Sequence, residues 1–193
     1  VVPMAQAARA PTAFDGDLVV PVDPKELEKF CRRHNAITGD LIFNRDYVGR
    51  DLSAMSCVHR VDGRLVIKKT PNVTSLDGLD LDAMAGVPLK SLRIVDNASL
   101  VDVSGLSQLR AARIVIQENQ RLQSISGLPT IVGSTDLTIT DNIDLVEIDA
   151  PDGHRRATRL GNVHIANNPR LVKGSGFERV VAASSVSLRA NAR

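Results

Sequence analysis

Few residues of this chain are of a type and spacing that could do chemistry. Asp96, Glu118 and Asp141 each stand just before an asparagine. Carboxylates stacked this way are what a sugar-cleaving pair or a calcium site would need. Asp96 and Asp141 fall two repeats apart, on the order of 10 Å at a strand spacing of ~4.8 Å, with Glu118 at the matching position between them. The alternative is a solvated edge. His34, His59, His154 and His164 form no His-x-His, His-Glu-x-x-His or Cys/His zinc spacing. Phosphate-binding glycine loops and nucleophile elbows are absent from the sequence. No catalytic residue, metal ligand or cofactor is therefore assigned. Asn72-Val73-Thr74 and Asn97-Ala98-Ser99 match the N-glycosylation acceptor pattern. Asn97 sits at a repeated position expected to be buried, which leaves Asn72 as the candidate acceptor. An ice-binding face would need a repeated Thr-x-Thr array, and only Thr138-Ile139-Thr140 is present.

What positions these residues is a repeat. An apolar-x-apolar element recurs as Leu41-Ile42-Phe43, Leu65-Val66-Ile67, Leu92-Arg93-Ile94, Ile114-Val115-Ile116, Leu137-Thr138-Ile139, Val163-His164-Ile165 and Val186-Ser187-Leu188. Successive elements are 24, 27, 22, 23, 26 and 23 residues apart. Three residues after the element comes Asn97, Asn119, Asn142, Asn168 or Asn191, with Asp46 and Thr70 in the first two repeats. An aliphatic follows at six, from Val73 to Leu171, and another at nine in Leu76, Val103, Ile125 and Ile148, with Gly174 breaking that row. Gly78-Leu79, Gly105-Leu106, Gly127-Leu128 and Gly176-Phe177 come after that, with Ala150-Pro151 standing in once.

Alternating apolar residues make a short strand with one face inward. A single coil of this length cannot bury that face, but stacked coils share a continuous core. The expectation is an all-β chain: a right-handed parallel β-helix, or solenoid, with coils of about 22–27 residues. The asparagines fall where the chain leaves each strand. Their amides can bond one another and the turn backbone as a ladder, and asparagine tolerates the left-handed conformation of a tight corner. Asp23-Pro24-Lys25-Glu26 is a helix start, with Leu27, Phe30 and Cys31 on one face. Residues 24–34 are read as a short helix capping the first coil, within a solenoid unit of residues 23–193 whose repeats begin at 37. Residues 1–22 are read as a flexible leader. Ala5-Gln6-Ala7 and Ala8-Arg9-Ala10 look like small-residue cleavage signatures, and Leu18-Val19-Val20, stopped by Pro21, reads as a lone edge strand.

Composition narrows the function. The 193 residues carry a net charge of +2, too even to argue for nucleic acid or an anionic membrane. Aromatics make up 3%, so the core is aliphatic and a stacking surface for bases or sugars is disfavoured. No stretch approaches the ~18 apolar residues of a membrane span, so any anchor lies outside this chain.

The phrase Cys31, Ile37-Thr38-Gly39-Asp40-Leu41-Ile42-Phe43, Asp51-Leu52-Ser53, Cys57 and Val61-Asp62-Gly63-Arg64-Leu65-Val66-Ile67 resembles the receptor L-domain family, leucine-rich β-solenoid modules of receptor ectodomains and surface proteins. The later coils carry that family's strand-then-Asn-then-Leu phrase, so the resemblance covers roughly residues 31–193. Departures are Asp46, Thr70 and the insert from Pro151 to Leu160, and the sequence stops soon after Asn191, where a further coil or cap is expected. The resemblance implies a Cys31–Cys57 disulfide, the alternative being two free buried thiols, and with it an oxidising, extracellular or cell-surface setting. It also implies a non-catalytic recognition or adhesion module with a protein or glycan partner.

Alternation then gives two outward rows. One is Ile42, Val66, Arg93, Val115, Thr138, His164 and Ser187; the other is Asn44, Lys68, Val95, Gln117, Thr140, Ala166 and Arg189. Neither contains Asp or Glu, which speaks against a carboxylate enzyme on this face. The candidate binding residues are Ile42, Val66, Lys68, Arg93, Val95, Val115 and Gln117: an apolar centre flanked by cations, against the alternative of ordinary strand propensity on a solvated sheet. A structural cell-surface or cell-wall component without a dedicated ligand is the second reading, and a polysaccharide-active β-helix enzyme the third.

Overall fold

The computed structural model describes residues 12–79, 81, 88–106, 109–126, 130–149, 158–175 and 180–191. In chain order it forms β1 (Thr12–Phe14), β2 (Leu18–Val19), α1 (Pro24–Cys31), β3 (His34–Ile37), β4 (Leu41–Phe43), β5 (Arg60–Val61), β6 (Arg64–Lys68) and β7 (Ser91–Val95). There follow β8 (Arg110–Gln117), β9 (Ser124–Ser126), β10 (Thr130–Thr140), β11 (Glu147–Asp149), β12 (Thr158–Ala166), β13 (Lys173–Ser175) and β14 (Val180–Arg189). The chain is a parallel β-solenoid of about six turns with one short helix.

The repeated element builds one eight-stranded sheet in the order β14-β12-β10-β8-β7-β6-β4-β2. Its register is the sequence alignment itself: Phe43 pairs with Ile67, Ile67 with Ile94, Ile94 with Ile116, Ile116 with Ile139, Ile139 with Ile165, and Ile165 with Leu188. Every coil presents the same inward side chains to its neighbours, so Leu65, Ile67, Leu92, Ile94, Ile114, Ile116, Leu137 and Ile139 are fully buried. Val163 and Ile165, one step from the end, are 5% and 6% exposed. Each such side chain contributes about 1.5–3 kcal/mol on burial. Two three-stranded sheets, β1-β3-β5 and β13-β11-β9, line the other sides. The aliphatic nine residues past the repeated element is buried, Ile125 on β9, Ile148 on β11 and Leu76 in the chain between β6 and β7.

The N-terminal boundary differs from the sequence reading. Residues 12–20 are not leader: β1 pairs in parallel with β3, and β2 with β4. Leu18-Val19-Val20 is therefore the edge strand of a further coil, with Val20 3% exposed. The reason lies in the phrase Gly16-Asp17-Leu18, which repeats as Gly39-Asp40-Leu41 and in part as Gly63-Arg64-Leu65. These glycines stack backbone on backbone, Gly39 N–H on Gly16 O and Gly63 N–H on Gly39 O, each at 3.0 Å. A Cβ at Gly39 would collide with the Gly16 backbone and the Asp17 carboxylate.

The helix is shorter than 24–34. Asp23 caps it by accepting from Lys25 N–H at 2.9 Å, and it ends at Cys31 because His34 already opens β3. It packs against β3 and the 3-10 turn Ser53–Met55. Phe30 is buried there in an edge-on contact with Phe14, ring centroids 5.6 Å apart. The Cys31–Cys57 disulfide, Cα atoms 5.6 Å apart, ties the end of α1 to the chain beyond that turn. The insert read as Pro151 to Leu160 is strand from Thr158 onward. Residues 1–11 with their cleavage-like motifs, residues 150–157 with His154, and the pairs Gly127-Leu128 and Gly176-Phe177 lie outside the described residues.

Among the described residues the far end is uncovered. Val186 and Leu188 hold inward positions yet are 60% and 65% exposed, because no described residue stacks on β14. With Ile148, Leu160 and Val163 they line a cavity of about 660 Å³.

Candidate functional site

The asparagines form a ladder. Asn97, Asn119, Asn142 and Asn168 are fully buried, and Asn191 is half-buried. Asn119 is the pattern: its Nδ2 donates to Ile94 O at 3.0 Å and to Asn142 Oδ1 at 3.2 Å, and its N–H donates to Asn142 Oδ1 at 3.1 Å. Its own Oδ1 accepts from Asn97 N–H and Nδ2 at 3.1 and 3.0 Å. Thr70 joins through its N–H and hydroxyl, both donated to Asn97 Oδ1. Asp46 does not: its N–H bonds Asn44 Oδ1 in a local turn. The asparagines themselves are not left-handed. The residue before each one is: Asp96, Glu118, Asp141, Asn167 and Ala190 have φ between 49° and 61°, and Lys69 before Thr70 has 59°. This corner is structural.

That places the acidic row. Asp96, Glu118 and Asp141 stand on adjacent coils at the solvent edge. Asp141 accepts from Asn167 Nδ2 at 2.9 Å, Glu118 from Gln117 Nε2 at 2.9 Å, and Asp96 lies 4.0 Å from Lys69. Among the described residues no group of three His, Cys, Asp or Glu could hold a metal ion. His164 is exposed on the outward face, and His34 packs edge-on against Phe14 and tilted against Phe30, ring centroids 5.5 and 5.1 Å apart. Asn72 is exposed and available as an acceptor, while Asn97 is fully buried.

The corner where the chain enters the sheet is a second side-chain network, not read from the sequence. Asp17 Oδ1 accepts from Asp40 N–H at 2.8 Å, and Asp40 Oδ1 from Arg64 N–H at 2.7 Å. Asp40 Oδ2 also takes the Arg64 guanidinium at 2.7 Å. Burial alone would raise the Asp40 pKa. The Arg64 hydrogen bonds and charge, with Lys90 beyond, outweigh that and hold the carboxyl below its usual range. Further along, Asp136 accepts from Asn162 N–H at 2.7 Å and from Arg113 at 3.3 Å, and its pKa is likewise lowered, the Asn162 bond contributing most. The Gly-Asp-Leu spacing of 23 residues was the available signal.

The first outward row falls on the eight-stranded sheet as alternation requires; in the second, Asn44 lies just past β4, and Thr140 and Ala166 are buried. Ile42, Val66, Arg93 and Gln117 are half-buried and Lys68 is exposed. Val95 and Val115 point away from the core and make no part of it, yet are only 9% and 8% exposed. The exposed apolar centre expected from the sequence is therefore reduced. At a strand spacing of ~4.8 Å, Arg93 and Thr138 flank Val115, and Lys68 and Gln117 flank Val95, so long stems and neighbouring strands cover them. What reaches solvent is Val66 and Ile42 beside Arg93 and Lys68, on the open face of the sheet.

No family model, curated protein or solved structure matches the chain. No helix among the described residues is long and apolar enough to cross a membrane.

Proposed function

We propose that the chain is an extracellular or cell-surface recognition module of the receptor L-domain kind, non-catalytic, meeting a protein or glycan partner on the outward face of its sheet. The observation that carries this reading is the face itself: Ile42, Val66 and Arg93 in register on β4, β6 and β7, with Lys68 alongside. A rigid, open sheet suits a broad contact, whereas small substrates favour enclosed, concave pockets. Arginine beside apolar side chains is a common anchor of such contacts. The Cys31–Cys57 bond supports an oxidising compartment, and its place between Cys31 and the Asp51-Leu52-Ser53 phrase supports the family reading.

The test is binding to intact cells and to arrayed surface proteins and glycans. Arg93→Glu with Val66→Asp should weaken capture at least tenfold, about 1.4 kcal/mol, with a nearly unchanged melting temperature. Val115→Asp is the wrong probe, because its covered side chain would cost stability. Normal capture by the double variant overturns the assignment.

A further inference from the structure

Helix α1 and the turn that ends it carry Lys25, Lys29, Arg32 and Arg33, all exposed. The spacing i, i+4, i+7 and i+8 sets them along one stripe. The structure brings them together: a shallow cavity of about 200 Å³ is lined by these four cations and Glu28 alone. Glu28 is already engaged by Arg32. Lys25, Lys29 and Arg33 form no ion pair among the described residues, as is also true of Arg45, Arg110 and Arg121, but only here do such cations line one cavity together. Helix stability accounts for Lys29 and Arg32 at the C-terminal end but not for Lys25. Cations favour the last turn of a helix, and Lys25 sits in the first, where the dipole disfavours it.

We infer that this groove binds an acidic glycan, a chain bearing repeated carboxylate or sulfate groups. From Lys25 to Arg32 the cations extend over about 10 Å at 1.5 Å per residue, with Arg33 just beyond the helix end, which suits several anionic groups in a row better than one small anion. A membrane surface fits less well: the apolar side of α1 turns inward, with Phe30 at 8% exposure, and leaves nothing to insert. A nucleic acid fits less well too, since Phe14, Phe30 and His34 pack edge-on and tilted against one another and no aromatic ring lines the groove. The support is firm, because Phe30 and the Cys31–Cys57 bond fix the helix to the coil beside it.

The experiment is salt elution of the intact chain from immobilised heparin, with polygalacturonate and single-stranded DNA as competitors. The unaltered chain should be retained, with retention falling steeply as salt rises. Lys25→Glu, Lys29→Glu and Arg33→Glu together should reduce affinity at least tenfold, and the milder glutamine triple should reduce it by less, with the disulfide intact in both. Arg45→Glu, Arg110→Glu and Arg121→Glu, an equal change of net charge elsewhere, should leave retention near that of the parent. Equal loss in both glutamate triples, or no retention of the parent, overturns the inference. Competition by DNA as strong as by polygalacturonate overturns the glycan assignment. Arg93→Glu with Val66→Asp should not alter retention, which separates this groove from the sheet face.

Discussion

The corner where the chain leaves the sheet and the corner where it enters do the same job with different chemistry. Each must satisfy backbone groups that the parallel ladder cannot reach as the chain turns. At the exit, one residue type does this in coil after coil: Asn97, Asn119, Asn142 and Asn168, all fully buried and bonded to the next. At the entry the residue type is not kept: Asp17 and Asp40 are followed by Arg64, Ser91, Arg113, Asp136, Asn162 and Ser185, and the buried Ser91 hydroxyl has no partner. The exit is closed to water at its central rungs, so neutral groups fit there, the amide of asparagine in most coils and the hydroxyl of Thr70 in one. The entry is partly wet, so charged groups are tolerated if each finds a partner. The difference teaches that solvent access, more than turn geometry, decides which corner is uniform.

Breaking the exit should therefore cost most. Asn119→Ala leaves Ile94 O and the Asn97 amide without their buried partner. The expected loss is about 1–3 kcal/mol, the range for unsatisfied buried polar groups, read as a lower midpoint in urea melts. Asn142→Ala should match it, because its bonds are equivalent. A midpoint unchanged in both would mean that the ladder contributes nothing.

The entry should respond less to mutation and more to acid. Asp40→Ala removes an acceptor for Arg64 N–H and one ion pair whose arginine is half exposed, so about 1 kcal/mol is expected. Because the folded pKa of Asp40 is lowered, its contribution is present above the unfolded value near ~3.9 and is lost as pH falls through the folded one. Asp136 acts in the same direction. Melts of the parent between about pH 5 and 2 should show a decline that flattens in Asp40→Asn. Asn119→Ala should leave the slope unchanged, since nothing at the exit titrates through that bond. An equal slope in the parent and Asp40→Asn would remove the entry carboxylate from the acid response.

The same contrast explains what could be read beforehand. The exit recurs as one letter at one offset, so the ladder, the strand register and the buried rows were legible as soon as the repeat was aligned. The entry does not recur as a letter, and its pairs, such as Asp136 with Asn162, join residues 26 apart with no shared type. The first coil was hidden for a related reason: Leu18-Val19-Val20 lacks a ladder residue three positions on, where Asp23 caps α1 instead. Its Gly-Asp-Leu phrase was visible but is an entry feature. The covering of Val95 and Val115 depends on which side chains neighbouring strands bring alongside, and alternation in one strand does not show that.

The smallest expected effect, and the only stabilising one, comes from the residue before each rung. Glu118 takes φ of 58°, a left-handed conformation that costs an ordinary L-residue about 1–2 kcal/mol and asparagine less. Asn167 already fills the equivalent place one coil beyond Asp141, and its Nδ2 donates back to Asp141 at 2.9 Å. Asparagine at 118 would relieve the backbone, could donate to the carboxylate of Asp96 in the same manner, and would remove the middle charge from the row Asp96, Glu118, Asp141. Against this stands the loss of one exposed bond from Gln117. Glu118→Asn should therefore raise stability by about 0.3–1 kcal/mol, seen as a higher urea midpoint at low salt. The part due to charge should fade as salt is added, while the backbone part persists. A lower midpoint would show that Glu118 serves the corner in a way its conformation and contacts do not account for, and would return the acidic row to consideration as a site.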